Sequence, residues 1–215
     1  MLLERGYPLL LLIRGVNENV RALIDLGADH LVCDLFDRSG YRARLGGRAA
    51  LFHHAAPNTT RTGDAEATLA GTLTLTRELA RACIESDVPT MIYTSSVVVL
   101  GRSPDPDRLI GLDDRESRPA PPYVRGKLMA EDDLDDQIGR GRLDVRRHYP
   151  SWVVGPGNAT WTPPHRLICD YLLKPQRFSF SGGISVAHVD RVARGHVAAL
   201  ERVPATGDIF RAAGM

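Results

Sequence analysis

Short apolar runs alternate with stretches whose apolar residues recur at helical spacing, and that alternation organises the chain. Leu9 to Ile13 is a continuous apolar run ending at Arg14-Gly15, the length and punctuation of a buried strand. Asn17 to Leu26 places Val20, Leu23 and Ile24 on one helical face and stops at Gly27. His30 to Cys33 and Ala49 to His53 predict a second and a third strand. Glu66 to Ser86 predicts a long helix with two apolar stripes, Leu69, Leu73, Ala80 and Ile84 on one, Leu75, Leu79 and Ala82 on the other. Thr90 to Thr94 predicts a fourth strand, followed by a Pro- and Asp-rich loop from Arg102 to Pro122. A helix is then expected from Tyr123 to Ile138, with Glu131-Asp132-Asp133 and Asp135-Asp136 as a solvated acidic stretch, and a fifth strand from Leu143 to His148. Beyond Gly157 the pattern becomes irregular, with a helix from His165 to Leu173 between Pro163-Pro164 and Gly182-Gly183, and a last helix from Val189 to Arg202.

Strands that alternate with helices are βαβ units, so the fold class expected is α/β, a doubly wound parallel sheet covered on both faces. A length of 215 residues suits one principal domain with a few late segments laid beside it. With 43% apolar residues and 25% charged the chain can bury a core, and a net charge of +1 argues against a nucleic-acid or anionic-membrane partner. Cys33, Cys83 and Cys169 are too scattered for a disulfide framework or a thiolate metal site. The longest apolar run is far below the roughly 20 residues of a membrane span, and it lacks the basic flank and cleavage site of a signal peptide. The expected compartment is therefore cytoplasmic, where the sequons at Asn58 and Asn158 carry little meaning. Adjacent His53 and His54 must point to opposite faces of a strand, His188 and His196 lack carboxylate partners, and packing or surface roles are expected rather than metal binding. Arg140, Arg142, Arg146 and Arg147 read as a solvated basic rim.

The residues that point to chemistry are Tyr123 and Lys127, one helical turn apart on one face. A phenol titrates near 10, and a neighbouring ammonium favours its ionised form, bringing it towards a useful range for proton transfer. The same spacing also occurs on ordinary amphipathic helices. Thr94-Ser95-Ser96 stands at the carboxyl end of a predicted parallel strand, the edge where open α/β sheets bind ligands. There Ser96 can donate a hydrogen bond to a substrate carbonyl or to the alkoxide it becomes on reduction.

Taken in order, these segments resemble the extended short-chain dehydrogenase/reductase family, the NAD-dependent epimerase/dehydratase superfamily. Leu51-Phe52-His53-His54-Ala55-Ala56 is similar to its fourth-strand motif, and Gly71-Thr72 to the end of a helical N-x-x-G-T. Tyr93-Thr94-Ser95-Ser96 with Gly101 matches the serine strand, and Pro122 to Lys127 the Tyr/Lys helix. Pro150 to Gly157 and His188-Val189-Asp190 to Ala193 match the late segments. The dihydroflavonol-reductase-like branch fits best, since Leu100 stands where many nucleotide-sugar epimerases have Tyr.

The resemblance implies a Rossmann-like dinucleotide-binding domain over residues 1–157 and a partial substrate-binding region over 158–215. It implies Tyr123 as general acid/base, Lys127 as the holder of the nicotinamide ribose and Ser96 as the group orienting the substrate oxygen. Cofactor contacts are implied for Asp34 and Leu35 near the adenine, for Ala55, Ala56 and Thr94 along the cofactor, and for Pro150 and Val153 beside the nicotinamide. Arg14, in place of the acidic residue that would bind a ribose 2′-hydroxyl, suits the 2′-phosphate of NADP, with NAD as the alternative. A small-molecule carbonyl or nucleotide-sugar-like substrate is implied, as is a homodimer through the Glu66 to Ser86 and Tyr123 to Ile138 helices.

Three departures are visible: Thr68 in the usual Asn position, Tyr149 before Pro150 where Arg is common, and Arg191 for a second Asp. The larger one concerns the glycine fingerprint. None of the 20 glycines has G-x-G-x-x-G spacing, and Met1 to Tyr7 resembles the tail of the first helix of the family. The chain therefore reads as truncated at both ends, lacking the first, central strand and leaving a gap between the first and third visible strands. The alternative function is a catalytically inactive remnant that keeps Ser96, Tyr123 and Lys127 without binding the dinucleotide.

Overall fold

The computed structural model describes residues 1–56, 65–105, 107–157, 162–174, 183 and 185–201; both sequons, Gly182 and Arg202 lie outside them. Among the described residues seven strands form three parallel sheets. β1 (Leu10–Ile13) pairs with β2 (Asp29–Val32), β3 (Ala50–His53) with β4 (Thr90–Thr94), β4 with β5 (Asp144–His148), and β6 (Trp152–Val154) with β7 (Val186–His188). The helices are α1 (Glu18–Asp25), α2 (Ala65–Glu85), α3 (Pro122–Gly139), α4 (Pro163–Leu173) and α5 (Val189–Glu201). β6 and β7, three residues each, are too short to show a period; β6 lies in the Pro150 to Gly157 segment, which resembles the sixth-strand exit of the family, and no strand is expected at β7 from the sequence pattern.

Strand alternation distributes the side chains of β3, β4 and β5 to two helical layers. Met91 and Tyr93 of β4 join Leu75, Leu79 and Leu134 in one core with α2 and α3. His53 on that side bonds Thr76 of α2. On the other side, Thr94 meets His196 of α5, and Arg146 of β5 donates to the carbonyls of Ala199 and Leu200 at the end of α5. A guanidinium there satisfies carbonyls the last helical turn leaves open and sits at the negative end of the helix dipole.

Several expectations need correcting. β1 is half-buried along its length and α1 buries no residue, because the β1–β2 ladder is only two strands wide and shares no hydrogen bonds with β3. This division falls between the first and third strands, where the pattern placed it. The basic group 140–147 is a solvated rim only in part: Arg140 and Arg142 are exposed, whereas Arg146 is 8% exposed and Arg147, half-buried, pairs with Asp135. Nor is the acidic stretch of α3 uniformly solvated: Glu131 is 3% exposed, and Asp133 accepts two hydrogen bonds from Arg77 of α2. Both apolar stripes of α2 are largely covered within the chain, with Leu69 and Ala80 of one and Leu75, Leu79 and Ala82 of the other buried.

Two glycines set close approaches. Gly126 of α3 lies against α2, where a Cβ would come within 3.3 Å of the Leu69 Cα and the Thr72 Cβ. Gly155, after β6, has φ +146° and leaves only 2.5 Å between a would-be Cβ and Val189 Cγ1 at the start of α5. Both strain and overlap oppose a side chain at Gly155. Gly155→Ala is expected to lower unfolding free energy by about 2 kcal/mol or more, read as a lower urea midpoint at unchanged slope; an unchanged midpoint contradicts this packing.

Candidate active site

The carboxyl ends of the parallel strands gather most of the residues singled out from the sequence. Arg14 and Asp34 follow β1 and β2, which run in register with Ile13 beside Val32. Arg14 is exposed, and Asp34 spends one carboxylate oxygen on the Phe36 amide at 2.9 Å. Leu35 and Ala55 pack against the main core. Ala56 is half-buried just past β3, and Pro150, just past β5, is buried and accepts the Val97 amide through its carbonyl. Val153 lies further on, in β6, against Ala187 and Val192.

Ser96 caps a short 3₁₀ turn, Val97–Leu100, that breaks the chain away from β4. Its hydroxyl accepts the Val98 amide at 3.5 Å and neighbours the Tyr123 phenol, brought there by the first turn of α3. Burial pushes the Tyr123 phenol above its ordinary range and Ser96 draws it back in part. Lys127 is not among the groups that move it. The Lys127 ammonium, 3% exposed, donates to the Thr94 carbonyl at 2.7 Å and stands 4.7 Å over the Tyr93 ring. Burial pulls Lys127 down to about 8, against the opposing charge of Glu131. An ammonium has three donors, and Thr94 takes one of them.

Sequence reasoning missed Glu131, which lies four residues after Lys127 and eight after Tyr123 on the same helical face. Ser95 donates its hydroxyl to the Glu131 carboxylate, and Tyr149 is a near neighbour of that carboxylate. Its acidic neighbours concealed it, although the spacing from Tyr123 was a signal that could have found it. Three histidines, His148 and His196 buried and His54 exposed, add a second polar group on the opposite face of the sheet. The Thr94 hydroxyl bridges His54 Nδ1 at 2.7 Å and His196 Nε2 at 2.8 Å, and His196 stacks edge-on with His148 at 4.0 Å between ring centroids. His53 and His54 do point to opposite faces, and no group of metal-binding side chains is found among the described residues. A cleft of about 290 Å³ opens beside this edge, lined by Val153, Gly155, Gly157, Thr162, His165 and Val189 among others.

Comparison with known proteins gives the family of the chain. The family model described as NAD dependent epimerase/dehydratase family matches residues 1–213. The chain belongs to that family. It is 28% identical over 205 residues to a protein of Synechocystis sp. named "Putative dihydroflavonol 4-reductase", covering 94% of this chain and 58% of that one. It is 30% identical over 170 residues to sterol demethylase protein B of Methylococcus capsulatus, covering 79% and 51%. Among solved structures, that of gox2253 superposes with a TM-score of 0.81 at 30% identity, over 99% of this chain and 64% of that one. UDP-glucuronic acid 4-epimerase from Bacillus cereus, in complex with UDP-glucuronic acid and NAD, superposes with a TM-score of 0.80 at 20% identity, over 98% and 71%. The fold is thus Rossmann-like, and the chain spans between half and two thirds of the length of the curated relatives it matches. Among the described residues no helix is long and apolar enough to cross a membrane.

The buried histidines make the fold sensitive to acid. Burial, with Lys127 nearby for His53 and His196 and His54 nearby for His148, lowers both His53 and His148 from the usual 6.5 to about 3. Between those values the unfolded chain takes up protons that the folded chain refuses, so stability is full above about pH 7 and falls as pH drops through 6.5 towards 3. Two such groups remove roughly 2–3 kcal/mol one pH unit below 6.5. Urea unfolding at pH 7.5 and 5.5 is expected to show that loss; equal free energies at both pH values contradict neutral burial of these rings.

Proposed function

We propose that the chain is an NAD(P)-dependent oxidoreductase or epimerase acting at a carbonyl/alcohol centre. One observation carries the reading: Ser96 and the Tyr123 phenol are neighbours at the carboxyl edge of a parallel sheet, one helical turn from a buried lysine with donors to spare. The nicotinamide end of the cofactor fits these residues. Two free Lys127 donors suit a pair of ribose hydroxyls, with Ala55, Ala56 and Thr94 on one side and Pro150 and Val153 on the other. When bound, the nicotinamide supplies or accepts hydride. Tyr123, kept protonated by its burial, gives its proton to the substrate oxygen during reduction and regains it in the reverse direction. Ser96 holds the same oxygen by donating a hydrogen bond.

An exposed cation at Arg14 supports NADP over NAD, because a 2′-phosphate brings negative charge to that edge. A small carbonyl compound or a nucleotide sugar is the substrate class, spanned by relatives named for a dihydroflavonol reductase and a nucleotide-sugar epimerase. The cleft beside Val153 offers such a molecule apolar walls. A second reading, a chain that keeps these residues without holding the dinucleotide, draws on the sheet divided between β1 and β3 and on glycines that lack the pyrophosphate spacing.

Tyr123→Phe is expected to lower the rate of NADPH-dependent carbonyl reduction by about 10²-fold or more, with the circular dichroism unchanged. Ser96→Ala is expected to lose activity less steeply. Undiminished turnover in Tyr123→Phe contradicts the acid/base assignment, whereas a wild-type chain that oxidises no NADPH with any carbonyl favours the second reading.

A further inference from the structure

Tyr123, Lys127 and Glu131 stand at successive turns of α3, and each meets one of three consecutive residues where β4 ends. Tyr123 neighbours Ser96, Lys127 donates to the Thr94 carbonyl, and Glu131 accepts from the Ser95 hydroxyl. The reaction proposed above makes no use of Glu131, yet a carboxylate at 3% exposure is costly to keep unless its partners are worth having.

The groups around the pair are drawn from every neighbouring element. His53 and His54 follow from β3, Tyr93 from β4, Arg147 and Tyr149 from the end of β5, and Arg115 reaches in from the preceding loop, 3.8 Å from the Glu131 carboxylate. Burial keeps the imidazoles and phenols neutral, so Glu131 is the anion of the set. Two of its cations, Arg147 and Arg115, have other carboxylates, Asp135 and Asp132. Lys127 has no carboxylate in direct contact among the described residues; it meets a carbonyl and a ring face.

We infer that Glu131 is a positioning residue: its carboxylate fixes Ser95, and with it the backbone that presents Ser96, and its charge keeps the buried Lys127 ammonium protonated. The inference rests on the proposed reading in treating Ser96 and Lys127 as working groups. The choice of residue at 127 agrees with this role. Of 27 basic residues only Lys127 and Lys174 are lysine, so a compact ammonium stands at the buried position in a chain that otherwise uses arginine.

That scarcity makes the test direct. In the apo chain carrying lysine labelled with ¹³C at Cε, two signals appear, and Lys174→Arg identifies the exposed one. In the wild type, Lys127 is expected to titrate near 8, well below an ordinary lysine. Glu131→Gln keeps an acceptor for Ser95 but removes the charge, and is expected to lower the Lys127 titration by about one pH unit or more. An unmoved titration overturns the inference. Should Glu131→Gln fail to fold, the wild type decides alone: the Lys127 signal shows a second step in the acid range, above the ordinary carboxylate value, at a pH where circular dichroism is unchanged. A single-step curve there overturns the inference. No cofactor or substrate enters these measurements, so their failure and the failure of the oxidoreductase reading remain separate.

Discussion

A buried ammonium aimed at a backbone carbonyl organises this protein. Lys127 reaches from α3 to the Thr94 oxygen at the last residue of β4, across the face of Tyr93. A lysine inside a core is unfavourable unless its donors and charge are met, so the helix that carries it is held to one register against the strand. Everything else on that helical face follows from the register. Tyr123 lies one turn before it and reaches Ser96, while Glu131 lies one turn after it and takes Ser95. Gly126, between them, lets α3 lie close enough to α2 for the contact to form.

The opposite face of the same three strands is also polar at its carboxyl end. His54, Thr94 and His148 stand on neighbouring strands, and His196 of α5 joins them. Thr94 therefore serves both layers, with its carbonyl towards α3 and its hydroxyl towards α5. The exit of β4 is clamped from both sides, which suits a strand whose next residues, Ser95 and Ser96, must hold their positions. Arg146 fastens the far end of α5 to β5 by its last carbonyls, so the clamp has a rigid back.

Much of this could be read from residue order. Short apolar runs separated by helical patterns specified five parallel strands and their helices within a residue or two at each end, because strand length and helix period are local properties. Tyr123 and Lys127 stand out in the sequence because they lie one helical turn apart near the start of α3, and Ser96 because it follows the end of β4. The misread residues fail for one reason: their burial depends on partners distant in sequence. Glu131 looks solvated beside Asp132 and Asp133 until Ser95 is placed against it, and Arg146 looks like a rim cation until the end of α5 arrives. β6 and β7 exist only by pairing with each other. The half-buried β1, conversely, is apolar in sequence and lacks a neighbour on one edge among the described residues.

Lys127, which holds α3 to the sheet, is proposed to be the cation that receives the nicotinamide ribose. Isothermal titration with NADPH of the wild-type chain and of Lys127→Met, both checked for cooperative melting, tests this most directly. Measurable binding by the wild type and affinity about tenfold or more weaker in the variant is the predicted result, the loss of hydrogen bonds from a charged donor being worth ~1.5–3 kcal/mol. Equal affinities in the two chains, or no binding by either, would contradict it.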